Sequence, residues 1–187
     1  MKTEKAKMIA GELYNPGDEE LVKARVRAHT LSKEYNQLPV EQKRTEMIKE
    51  IFGQTGERLH VEPGLRIDYG FNVSVGERFY ANFDLVLLDT CPIIVGDNAM
   101  FGPRVSLVTP EHPLDPVERN SGVEFGRPIT IGDNCWIGSD ATIIGGVALG
   151  HNVVVGAGSV VTKSFGDNVV IAGNPARIIK EIEKPSS

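Results

Sequence analysis

The chain is poor in the residues that mark several broad classes of protein. Its 187 residues include two cysteines, Cys91 and Cys135, too few for a disulfide framework and not in Cys-x-x-Cys spacing. Both read as small packing residues, and a reducing cytoplasm is the expected setting. No stretch approaches the ~20 apolar residues that a membrane span requires. Met1 to Ala10 alternates Lys with Glu, so it lacks the apolar run of a signal peptide. Positive charge is scarce as well, with 20 Lys and Arg against 25 Asp and Glu. The resulting net charge of −5, without a basic cluster, argues against nucleic acid or an anionic membrane as partner. Of four histidines, His29, His60, His112 and His151, only His112 and His151 lie in the repeat described below, too few to converge as three zinc ligands, so a zinc hydratase is disfavoured and no metal is expected. What the chain does have is a hydrophobic content of 41%, enough for one domain with a core.

Residues 1–58 read as a helical segment. Asp18 stands where it can cap a helix in which Leu21, Ala24, Val26, Ala28, Leu31 and Tyr35 recur at mostly three- and four-residue steps. Pro39 begins a second helix, closed by Gly53 and Gly56.

Residues 59–187 follow another rule. Ile131, Ile137, Ile143, Leu149, Val155 and Val161 fall on every sixth position, a period that neither a helix nor an ordinary strand has. Cys135, Ala141, Val147, Val153 and Ser159 fill the fourth place after the aliphatic residue, and Gly132, Gly138, Gly150 and Gly156 follow it directly. Val75, Ala81, Leu87 and Ile93, then Val95, Phe101 and Leu107, repeat the theme in shifted phase. Each six-residue unit supplies a short strand and a turn, and three units make one triangular coil. No unit buries its own apolar side alone, so the coils stack into a parallel β-helix.

The repeat breaks once, over residues 108–128, a stretch with four prolines and two glycines. This reads as a loop expelled from the coil, and loops displayed on a rigid scaffold commonly carry function. It holds His112 between Glu111 and Pro113. An imidazole can accept and return a proton near neutral pH.

Eight segments together resemble the maltose and galactoside O-acetyltransferases of the hexapeptide-repeat superfamily, most of all the maltose type. They are Met8-Ile-Ala-Gly-Glu-Leu-Tyr14, Asp68-Tyr-Gly70, Tyr80-Ala-Asn-Phe-Asp84, His112-Pro-Leu-Asp-Pro116, Arg119-Asn-Ser-Gly122, Pro128-Ile-Thr-Ile-Gly132, Trp136-Ile-Gly138 and Gly173-Asn-Pro-Ala-Arg177. The resemblance implies a mainly β fold with left-handed coils, and a homotrimer with its sites between subunits. It implies transfer of acetyl from acetyl-coenzyme A to a sugar hydroxyl, with His112 as general base. It also implies that the backbone of Ser139 meets the thioester, that Asn82 lines the acetyl and acceptor site, and that Ala157, Thr162, Lys163, Arg177 and Lys180 hold the cofactor, the last two near its 3′-phosphate. Trp136 shields the acetyl group, stacks on a sugar face or packs between coils. On the acceptor side Asp68 and Asp89 are candidates by position. Asp18 or Asn15 fills the role of an acidic residue of the first arm, and Glu124 either orients His112 or is a plain loop charge. The rival readings are a non-catalytic scaffold and an amine or other hydroxyl acceptor.

Overall fold

The computed structural model describes residues 2–39 and 42–183. Three helices open the chain: α1 (Glu4–Ile9), α2 (Glu19–Tyr35) and α3 (Gln42–Ile51). The carboxylate of Asp18 accepts from the N–H groups of Glu20 and Leu21, satisfying two of the donors that a helix start leaves open. Leu21, Ala28 and Tyr35 are buried, with Ala24 and Leu31 packed beside them. Val26 falls off that stripe and is 60% exposed. The expected helix start at Pro39 borders residues 40 and 41, which lie outside the described residues.

From Gln54 the chain winds through three parallel sheets, which form the faces of a β-helix. The first face holds Gln54–Thr55, Val73–Val75, Ile93–Val95, Ile129–Ile131 and Ala148–Leu149. The second holds Leu59–Val61, Phe79–Ala81, Met100–Phe101, Trp136–Ile137, Val153–Val155 and Val169–Gly173. The third holds Arg66–Ile67, Val86–Leu88, Ser106–Val108, Thr142–Ile144 and Val160–Val161. The coil thus begins at Gln54, ahead of the expected boundary at 58, because Thr55 already pairs with Val75. Gly53 is a docking point: its N–H reaches the carbonyls of Gly70 and Val73, and a Cβ there would lie 2.3 Å from the Phe71 carbonyl oxygen.

Apart from the glycines, every repeat residue named above points inward and is buried, from Val75 to Val161. Thr55, Val75 and Val95 stack at steps of 20 residues, whereas Ile131 and Leu149 stack at 18. The two extra residues of the early coils fall at the edge between third and first faces, and this explains the shift of phase. At the edge between first and second faces a column of side chains stitches coil to coil. Glu77, Asp97, Asp133 and Asp167 each accept from a backbone N–H of the adjacent coil, and His151 Nδ1 does the same toward Asp133 at 3.0 Å. Asn98, Asn134, Asn152 and Asn168 follow them in the left-handed region (φ 54–59°), which asparagine tolerates better than most residues.

The loop is shorter and more ordered than expected. Val108 keeps its place in the third face, between Leu88 and Ile144. The chain leaves at Thr109 and rejoins at Ile129. Between them Pro110–Glu111 pairs antiparallel with Phe125–Gly126, and α4 (Pro116–Asn120) is capped by Asp115. At the far end Ala176–Glu181 folds back antiparallel on Val169–Gly173, which covers an otherwise open sheet edge.

Candidate functional site

The edge between third and first faces collects the candidate acceptor residues. Asp89 is fully buried, and its two carboxylate oxygens accept from the N–H groups of Tyr69 and Gly70, both at 2.8 Å. Burial pushes its carboxyl up to about 7, against the downward pull of those N–H bonds. A direct role for Asp89 toward an acceptor is therefore corrected, because both oxygens are engaged and no face of the side chain meets solvent. Asp89 instead holds the turn that presents Asp68. The Asp68 carboxylate is half-buried, 3.7 Å from His29 Nε2, and burial raises its pKa while His29 opposes the rise. Beside it a cavity of about 450 Å³ opens between α2 and the third face, lined by His29, Asn36, Gln37, Arg66, Asp68 and Leu88 among others.

Next to Asp68 lies a network that the sequence did not single out. The Arg25 guanidinium donates to the Tyr69 hydroxyl at 2.6 Å, Tyr69 neighbours the Tyr14 hydroxyl, and Tyr14 donates to the Glu124 carboxylate. Burial, aided by Glu124, holds the Tyr14 hydroxyl far above its ordinary pKa. Tyr14 and Tyr69 lay within the motifs of resemblance, yet nothing in their spacing signals that they touch. The carboxylate of Glu124 is turned to Tyr14, not to His112. His112 itself is exposed, one residue past the Pro110–Glu111 strand, and Glu111 is drawn aside to Arg127 at 3.4 Å. Asp18 caps α2, and Asn15 accepts from the Gly17 N–H at 2.9 Å, so each of the two is tied to local backbone.

The edge between second and third faces carries a second set. Asn82, Gly102, Gly138 and Gly156 lie one above another, since Ala81, Phe101, Ile137 and Val155 are in register. The Asn82 side chain accepts from the Phe83 N–H at 2.8 Å. Ser139 adjoins this column, and its carbonyl accepts from Gly158 at 2.8 Å. Its N–H has no partner among the described residues, although Gly138 and Asp140 on either side bond to Val155 and Pro103. Ala157 follows one coil on, and Arg177 pairs with Ala172 beyond it. Trp136 is 54% exposed and stands outward in line with Tyr80 and Met100, so it does not pack between coils. Thr162 and Lys163 lie past Val161, on the edge between third and first faces, with Lys163 Nζ 5.4 Å from the Phe165 ring centre. Lys180 pairs with Val170, away from Arg177 along the returning strand. Within one chain the cofactor candidates therefore occupy two different edges.

Among the described residues no group of three His, Cys, Asp or Glu is placed to hold a metal, and no helix is long and apolar enough to cross a membrane. Residues 7–56 match the maltose acetyltransferase hexapeptide capping motif, and residues 128–163 match the hexapeptide repeat of succinyl-transferase. The galactoside O-acetyltransferase of Escherichia coli is 45% identical, over 92% of this chain and 86% of its own. Among solved structures, a maltose O-acetyltransferase of Clostridium difficile is 46% identical with a TM-score of 0.96, covering 98% of this chain and 99% of its own. A galactoside acetyltransferase in complex with coenzyme A is 41% identical with a TM-score of 0.93, covering 98% of this chain and 92% of its own.

Proposed function

The chain belongs to the family of maltose and galactoside O-acetyltransferases, and on that premise we propose that it moves the acetyl group of acetyl-coenzyme A to a hydroxyl of a maltose- or glucose-type sugar. The observation that carries this reading is His112, exposed just past a short paired strand where the coil opens, beside an edge that presents the Asp68 carboxylate. His112 takes the proton of the acceptor hydroxyl as its oxygen attacks the thioester carbonyl. A carbon–oxygen bond forms, the tetrahedral oxyanion collapses, the carbon–sulfur bond breaks, and the imidazolium returns its proton to the departing thiolate. Such base assistance is typically worth ~10² to 10⁴ in rate. The free N–H of Ser139 is suited to the oxyanion. Asn82 and the exposed Trp136 flank the acetyl group, and Asp68 accepts from sugar hydroxyls.

Ala157, Thr162, Lys163, Arg177 and Lys180 line the coenzyme A groove, with the cations at its phosphate end. Because they divide between two edges, one groove closes only when the edges of two copies meet, as in a homotrimer with three sites between subunits. Exposed Phe83, Met100 and Trp136 supply apolar area for that association. The two free, buried cysteines fit a cytoplasmic setting.

Two measurements test the reading. Coenzyme A release from acetyl-coenzyme A is expected to accelerate with maltose, glucose or galactosides and not with simple amines; a preference for amines would overturn the acceptor class. Sedimentation equilibrium is expected to return about three times 20.4 kDa, and a fully active monomer would refute the shared site.

A further inference from the structure

The antiparallel clasp at the root of the loop sets Pro110 opposite Gly126 and Glu111 opposite Phe125. His112 follows Glu111 and Glu124 precedes Phe125, so the two flank the open end of the clasp. The free edge of Glu124 is not left to solvent. Its carbonyl accepts from the Tyr14 N–H at 3.0 Å, and its N–H donates to the Tyr14 carbonyl at 3.3 Å. Three chain segments therefore lie side by side, with Tyr14 on the outside, Glu124–Gly126 in the middle and Pro110–Glu111, which leads into His112, beyond.

The segment that supplies this third strand is fastened at several points. Tyr14 is 1% exposed and donates its hydroxyl to Glu124. The Met8 carbonyl accepts from Cys91 Sγ at 3.2 Å. Gly11 sits against the clasp so closely that a Cβ on it would lie 2.8 Å from the Gly126 carbonyl oxygen. A clasp with two residues per strand is weak by itself, since isolated two-stranded ribbons are marginal in water. A catalytic group displaced by ~1 Å can lose ~10² in rate. Stiffness at His112 has to come from what borders the clasp, and along the outer side of Glu124 that border is Tyr14.

We propose that the arm from Met8 to Tyr14 is the strut that positions the catalytic imidazole, with Tyr14 a positioning residue acting through Glu124 on His112. The proposal rests on the reading of His112 as base. It gives the helical front a part in the chemistry although none of the arm's side chains meets the reacting atoms.

The test is a double-mutant cycle on the full-length protein. Tyr14→Phe is expected to lower kcat about tenfold, leave KM for acetyl-coenzyme A unchanged, and cause no further loss in the His112→Ala background. Glu124→Gln, which keeps an acceptor oxygen for Tyr14, is expected to retain most of the rate that Glu124→Ala loses. A tenfold loss from Tyr14→Phe that persists in full without His112 overturns the proposal, as does unchanged kcat in Tyr14→Phe and Glu124→Ala. If His112→Ala alone keeps normal turnover, the base assignment falls and this strut falls with it, a result separate from the other two.

Discussion

Turnover of His112→Ala is expected to be lower by at least about 10², with coenzyme A binding and thermal stability close to those of the unchanged protein. The imidazole lies outside the stacked coils, on a loop whose contacts to the coil run through Thr109, Gly126 and Arg127. Removing it opens no cavity, because His112 is exposed and the core ends at Leu107 and Ile129 on either side of the loop. Loss of the base is thus a loss of transition-state stabilisation and leaves the rest of the fold alone. Turnover of both proteins, with circular dichroism and cofactor titration as controls, checks the claim. A folded variant that binds coenzyme A and turns over normally removes His112 from the mechanism.

Phe101→Ala separates stability from chemistry in the opposite sense, with an expected loss of about 3–5 kcal/mol. Phe101 is 1% exposed and meets the edge of Phe79 with ring centres 5.1 Å apart. It stacks between Ala81 below and Ile137 above, and small Ala81 cannot fill the space an absent ring leaves. In a solenoid each coil leans only on its neighbours, so the void weakens the contacts on both sides of one coil. Urea denaturation should show the full loss, while Val26→Ala on the exposed side of α2 stays within about 0.5 kcal/mol. Equal midpoints for the two variants would contradict the packing described for Phe101.

The coil was legible because each inward residue does the same job in the same geometry, so Ile131 to Val161 beat at six residues without fault and every one is buried. The loop was legible for the opposite reason, as its prolines fit no rung. Harder to see was what happens at an edge. Asp89 follows two leucines like any turn aspartate, and only the fold reveals that it is enclosed beneath Tyr69 and Gly70. Linear order likewise hides which edge a residue occupies, so nothing in the sequence signals that Lys163 and Arg177 stand on different edges of the chain. Helix α1 has six residues, too few for a period to declare itself. Tyr14, Arg25 and Tyr69 form their network across more than 40 residues of sequence, with no pattern to announce it.

The backbone ladder that joins coil to coil fixes more than stability. Neighbouring coils rise by the strand spacing, ~4.8 Å, whether they repeat at 18 residues, as from Trp136 to Val154, or at 16, as from Val154 to Val170. Ser139, Ala157 and Gly173 lie on successive coils of one edge, so they stand whole rises apart. The molecule is in this respect a ruler graduated in coils. A point substitution can change what a graduation touches but not where it lies, and the reach from Ser139 to the coils beyond it changes only by gain or loss of a complete turn.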